Sequence, residues 1–351
     1  MEQQISGILD SAIGEYIFPG CAVGIVNTDG EVVTVVSGRY TYESTSPLVS
    51  EQSIFDVASI TKSIPTASLA LWLIDQGKLS LADKVSKFLP ELANSYRDDV
   101  TIWHLLTHTI DFGQTALSAH KDKSPEEILK FILKRELSSP PGAKYWYMNA
   151  TSILLGLVVE KVAGKPLPVL ADEIFFKPLR MTRTTFYPKR FPEADIIPTE
   201  LDDWRGRLVH GEVHDETAHT LQKSFVPGHA GLFSTVPDLL VFLDMLLHRG
   251  MYNGQGYFSE TIVHHMEINQ LTDIGESAGL GWRLNQPEFM GQYSSAYTFG
   301  MIGFTGCMAL CDIPKGRAMI MLSNAVHPKR PTDRSAINQV RCDIADIVFK
   351  A

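Results

Sequence analysis

"GCMALCDIPKGRAMIMLSN", residues 306–324, decides the fold. Two runs rich in β-forming residues flank Pro314-Lys315-Gly316, a turn signal, so the stretch predicts an antiparallel hairpin. The other end of the chain repeats the pattern. In "CAVGIVNTDGEVVTVVSG", residues 21–38, two such runs are joined by Asp29-Gly30, a strong short-range hairpin signal. Between the two ends the spacing of apolar residues is mostly helical. β material at both termini with helices between predicts an α+β fold: one antiparallel sheet built from both ends of the chain and flanked by helices, with an all-helical lobe inserted. Residues 1–78 and 271–351 are expected to form the sheet lobe and 79–270 the mainly helical lobe, with a cleft between them.

The helices are read from period and caps. The N-terminal stretch carries Ile5, Ile8, Leu9 and Ile13 on one side, and residues 335–351 carry Ile337, Val340, Ile344, Ile347 and Val348. Both stripes suit helices lying on one face of the sheet. A helix over 59–76 is expected to end at Gly77, and another to start at Ser80, aided by Asp83, and to stop before Pro90. Helix 150–163 ends at Gly164, and helix 237–248 follows a cap at Ser234 or Thr235 and ends at Gly250.

Composition narrows the function classes. The 351 residues are 44% hydrophobic and 20% charged, which is ordinary for a globular protein with a sizeable core. A net charge of −9 with no basic run argues against nucleic acid and anionic membranes as partners. The first twenty residues lack the basic and unbroken apolar regions of an export signal, so the chain as written is expected in the cytoplasm, or in the periplasm or medium if a leader has been removed. Cys21, Cys307, Cys311 and Cys342 form no disulfide framework and read as reduced thiols.

The chemistry starts at "FDVASITKS", residues 55–63. Residues three apart on a helix share a face, so Ser59 and Lys62 can touch. A serine hydroxyl becomes a useful nucleophile when a neighbouring base takes its proton, and a lysine can be that base only where its ammonium is pushed toward neutrality. Free N–H groups in the first turn can also hold an oxyanion. By themselves these residues suit an N-cap and a lysine reaching to water better than a catalytic pair. A second element, "PPGAKYWYMNATSILLG" (140–156), places Tyr147 and Asn149 just before a helix. There a phenol can share proton transfer and an amide can hold a substrate carbonyl, although a core tyrosine and an N-cap asparagine explain them too.

Together, Ser59-Ile60-Thr61-Lys62 and Tyr147-Met148-Asn149 resemble the serine β-lactamase and penicillin-binding-protein superfamily, most nearly its class C β-lactamase-related branch. Further stretches carry the resemblance along nearly the whole chain, among them "TIWHLLTHT" (101–109), "VHGEVHDETA" (209–218) and "GHAGLFSTVPDLLVFLDMLL" (228–247). The resemblance implies Ser59 as the acylated nucleophile, Lys62 as its proton acceptor and Tyr147 as the group that helps activate the deacylating water. It also implies a substrate contact at Asn149, and an oxyanion hole made by the N–H groups of Ser59 and Phe304. The family's third motif, usually Lys-Thr-Gly or His-x-Gly, falls at Met301-Ile302-Gly303. Methionine brings no cation for a substrate carboxylate or for repulsion of Lys62, whereas Gly303 still lets backbone approach a ligand.

The expected function is therefore a serine hydrolase working through an acyl-enzyme, without metal or organic cofactor, on a small amide or ester. A class C-like β-lactamase leads. An esterase or D-amino-acid peptidase of the same family, or a non-catalytic ligand-binding relative, are the alternatives. Other histidines read as structural: His104 and His108 four apart on a helix, and His210, Glu212, His214, Asp215 and Glu216 as a hydrogen-bonded loop. His229, between glycines, is read as shaping the substrate pocket.

Overall fold

A computed structural model describes residues 1–93, 95–113 and 116–350. Its centre is a seven-stranded antiparallel sheet. In chain order the strands are β1 (Gly20–Asn27), β2 (Val32–Gly38), β3 (Ala278–Gly279), β4 (Trp282–Leu284), β5 (Phe299–Ile302), β6 (Met308–Asp312) and β7 (Arg317–Ser323). Their spatial order is β2-β1-β7-β6-β5-β4-β3, so strands from the two chain ends meet where β1 pairs with β7, Val23 opposite Met321. Both hairpins form as the sequence predicts, with Gly30 and Gly316 in the left-handed region.

The helices that position the site are α1 (Glu2–Gly14), α2 (Ser68–Asp75), α3 (Asn149–Ala163), α4 (Glu216–Leu221), α5 (Val236–Leu247) and α6 (Ser335–Lys350). Alternation along the strands sorts the apolar side chains between two faces. Cys21, Val23 and Ile25 join Met319 and Met321 against α1 and α6, through Ile5, Leu9, Ile337 and Ile344. Ala22, Val26, Ile320 and Leu322 face the other way, into a core that continues through α5 to α2 and α3. Helix α5 falls within the stretch expected to be the helical lobe, yet it packs on β1, β6 and β7. Gly24 explains how closely: a Cβ there would lie 2.3 Å from Val236 and 2.6 Å from Leu240.

Two expected helices differ. Residues 59–76 are not one helix but a 3-10 turn (Ala58–Lys62), an irregular turn (Ser63–Ala67) in which Ile64 is non-helical, and then α2. Pro65 is the cause, because it cannot donate a helical hydrogen bond and restricts the residue before it. The helix expected from Ser80 shrinks to Val85–Phe88, since the Asp83 carboxylate accepts the Ser80 N–H at 2.9 Å and closes a turn first. Among the described residues no helix is long and apolar enough to cross a membrane.

Candidate active site

Phe55–Asp56 pairs antiparallel with Phe233–Ser234, and the chain leaves this short ladder through a buried carboxylate. Asp56 accepts the Ala58 N–H at 2.8 Å with one oxygen and the His214 N–H at 2.7 Å with the other. Burial pushes its carboxyl upward, and those N–H groups pull it back. Ala58 has φ +47, left-handed for a residue with a Cβ, at a cost of about 1–3 kcal/mol. This sharp corner delivers Ser59 to the start of the 3-10 turn, half-buried on the wall of a cleft of about 310 Å³.

In a 3-10 turn residues three apart eclipse one another, so the spacing that suits an α-helix suits this turn better. Lys62 Nζ donates to Ser59 Oγ at 2.7 Å and to the His229 carbonyl at 3.1 Å, and its side chain is only 2% exposed. The Tyr147 ring centroid is 5.2 Å from the same nitrogen. The Tyr147 hydroxyl turns toward the sulfur of Met301, 3.5 Å away. His108 stacks obliquely on Tyr147 with ring centroids 4.9 Å apart. Burial, with Lys62 and Arg283 nearby, pushes its imidazole down to about 3. Thr151 donates its hydroxyl proton to the Met148 carbonyl and contacts His108 Nδ1 at 2.7 Å, so the neutral ring must carry its proton on Nδ1.

Asn149 Nδ2 faces Asp215 Oδ2 at 3.4 Å. A carboxylate only accepts, which fixes the amide's orientation and leaves the Asn149 carbonyl oxygen uncommitted to that contact. The other Asp215 oxygen accepts from the Ala218 N–H at 2.8 Å and from His229 Nε2 at 3.1 Å. Burial raises the Asp215 carboxyl, but His229, that N–H and the Lys62 charge together hold it well below the ordinary range. His229 is fully buried, and burial keeps its imidazole below its ordinary value.

The opposite wall carries Phe304 and Arg330. Phe304 is 44% exposed, stacks on His214 and meets the guanidinium of Arg334 at 4.7 Å. Arg330 donates to Glu200 at 2.6 Å and pairs with Glu216 at 2.9 Å, so two carboxylates offset its charge. Burial raises the Glu200 carboxyl, and the bonds from His214 and Arg330 more than reverse that.

Of the residues singled out in the sequence, Ser59, Lys62 and Tyr147 come together, and Asn149 and Phe304 line the same cleft. Met301 and Gly303 do not line it. Met301 is fully buried beneath Tyr147, so it supports the phenol rather than meeting a ligand. Gly303 abuts the corner that leads into Ser59, where a Cβ would lie 2.5 Å from the Val57 carbonyl oxygen. Asp215 and Arg330 on the cleft wall were missed. The first lies in a loop read as merely hydrogen-bonded, and the second is carried in by the chain beyond β7. His104 caps its own helix through Thr101, and His108 lies past that helix's end, so the two histidines serve separate contacts.

The family model described as Beta-lactamase matches residues 5–341. An Escherichia coli (strain K12) protein named "Putative D-alanyl-D-alanine carboxypeptidase" is 31% identical over 306 residues, covering 78% of this chain and 70% of its own. The N-acetylmuramyl-L-alanine amidase of Bacillus subtilis (strain 168) is 30% identical over 347 residues, covering 88% of this chain and 78% of its own. Among solved structures, EstCE1, a hydrolase with promiscuous acyltransferase activity, superposes with a TM-score of 0.75 over 97% of both chains at 22% identity, which is a likeness of fold.

Proposed function

The chain belongs to the Beta-lactamase family of serine hydrolases, and from that premise we propose that it cleaves a small amide through an acyl-enzyme on Ser59. The contact that carries this reading is the 2.7 Å approach of Lys62 Nζ to Ser59 Oγ, with the amine shielded from water. With Lys62 as the neutral amine, the Ser59 hydroxyl donates across the same 2.7 Å contact, and Oγ attacks the substrate carbonyl as its proton passes to Nζ. The oxyanion is taken up by the N–H groups of Ser59 and Phe304. The departing amine takes the proton back, and water, activated beside Lys62 and Tyr147, releases the acyl group. Asn149 offers its carbonyl oxygen to a substrate N–H, a role opposite to the donor role that the sequence suggests.

The two relatives are named as a D-alanyl-D-alanine carboxypeptidase and an N-acetylmuramyl-L-alanine amidase, which favours a peptide or muramyl-type amide over a β-lactam. Cleft charge bears on both substrates alike: Asp215 is anionic, and Arg330 is already matched by Glu200 and Glu216, so neither the carboxylate of a β-lactam nor that of a peptide gains much from Arg330. The test is intact mass after incubation with p-nitrophenyl acetate, a D-alanyl-D-alanine peptide and a chromogenic cephalosporin, on the wild type and Ser59→Ala. An acyl adduct confined to the wild type, with the peptide turned over faster than the cephalosporin, supports the reading. An adduct that persists in Ser59→Ala, or neither adduct nor turnover with any of the three on the wild type, ends it.

A further inference from the structure

Helix α6 buries an arginine with no acid to meet it. Arg341 is 1% exposed, and no carboxylate among the described residues pairs with it. Its neighbour Cys307 does not serve as a counter-charge, because burial pushes that thiol up to about 11. The guanidinium instead spends its donors on backbone. Nη2 donates to the Gly303 carbonyl at 2.9 Å and to the Cys307 carbonyl at 3.0 Å, and Nη1 donates to Asn338 at 2.8 Å. Packing alone does not call for this, since an apolar side chain of similar volume would fill the site without an unpaired charge.

Residues 303–307 form a tight turn: the Gly303 N–H reaches the Cys307 carbonyl at 2.8 Å, and the Gly306 N–H reaches the Gly303 carbonyl at 3.1 Å. Arg341 grips both carbonyls that close this turn. In a trans peptide the C=O and the following N–H point in opposite directions. Drawing the Gly303 oxygen inward to Arg341 therefore turns the Phe304 N–H outward, at a residue that lines the cleft with Ser59. The next carbonyl is held as well, since Arg334 Nη2 donates to the Phe304 oxygen at 2.6 Å.

We propose that Arg341 is a positioning residue for the oxyanion hole: its grip on the Gly303 carbonyl aims the Phe304 N–H at the developing oxyanion and polarises it. A bond from a cation to a peptide oxygen is stronger than a neutral one, and it makes the N–H of the same peptide a better donor. The gain is largest when negative charge forms on the substrate oxygen, so it falls on kcat more than on KM. This rests on the proposed acylation of Ser59.

The experiment uses the full chain as wild type, Arg341→Met, Arg341→Lys and Ser59→Ala, with p-nitrophenyl acetate as substrate. It records kcat, KM, adduct mass and melting temperature. Arg341→Met is expected to lose about tenfold to a hundredfold in kcat with KM nearly unchanged, less than the loss for deleting a whole oxyanion donor. Arg341→Lys keeps the charge but not the planar fork, and is expected to recover part of that loss. A folded Arg341→Met with wild-type kcat overturns the proposal, as does an equal change in KM. Should the Met variant not fold, Arg341→Lys decides: kcat lowered at constant KM supports the role, and unaltered kinetics reject it. Labelling of Ser59→Ala, or neither adduct nor turnover on the wild type, sinks the acyl-enzyme reading itself and this assignment with it. Labelling of Ser59 with indifferent Arg341 variants sinks this assignment alone.

Discussion

Lowering the pH from 7 to 5 should destabilise the protein measurably through His108. Its ring lies behind Tyr147, buried, and burial beside Lys62 and Arg283 pushes its imidazole from 6.5 down to about 3. In the unfolded chain the same histidine titrates near 6.5, so between those two values the unfolded state takes up a proton that the folded state refuses. Stability from this residue is complete above about pH 6.5 and falls as the pH drops toward about 3. At pH 5 the loss is about 2 kcal/mol relative to pH 7, at 1.36 kcal/mol per pH unit over the part of the interval below 6.5. Other histidines are also held down, so the measurement is a difference between proteins. Urea unfolding at pH 7 and pH 5 would be compared for the wild type and His108→Asn. Asparagine is chosen because residue 108 has φ +54, which asparagine tolerates. The variant is less stable at pH 7 but should lose about 2 kcal/mol less on acidification. Equal losses in the two proteins would refute the argument, because they would mean that His108 titrates normally in the fold.

Three further outcomes follow from the cleft. Lys62→Met should lower the rate of Ser59 acylation by about 100- to 10,000-fold, read as adduct formation by mass, while the circular dichroism spectrum stays native. Gly303→Ala puts a Cβ 2.5 Å from the Val57 carbonyl oxygen, a backbone atom that cannot swing aside. It should cost about 1–3 kcal/mol in urea unfolding and slow acylation, since the displaced backbone is the corner that carries Ser59. Glu216→Gln removes one of the two carboxylates on Arg330, so KM for an anionic cephalosporin should fall relative to KM for p-nitrophenyl acetate. No change in that ratio would mean that Arg330 does not meet the substrate.

What the sequence made legible was local. Asp29-Gly30 between alternating runs, Gly164 after an apolar stripe and Thr235 before Val236 each encode a turn or cap within a few residues, and each forms where expected. The Ser59–Lys62 pair was legible for the same reason, and it survives the replacement of the expected helix by a 3-10 turn because both geometries bring i and i+3 together. Pro65 could have been weighed more heavily, since a proline six residues after Ser59 cannot sit quietly inside a helix. Asp215 and Arg330 were hidden for another reason: long-range folding delivers them to the cleft, and a hydrogen-bonded loop looks the same in sequence whether or not it faces a substrate.

Arg341 falls between these cases, and it shows where a stronger reading was available. It lies four residues after Ile337 and three before Ile344, within the apolar stripe of the last helix. A cation in such a stripe has to reach a carboxylate, reach water, or bind backbone. Water is excluded by its neighbours on the stripe, and the nearest acidic residues on its own helix, Asp343 and Asp346, do not share its face. Backbone carbonyls are what remain, and the ones within its reach close the turn that carries Phe304. The same residue that breaks the amphipathic pattern of α6 thereby ties that helix to the turn that carries Phe304, and the two carbonyls and Asn338 take up its donors in place of an acid.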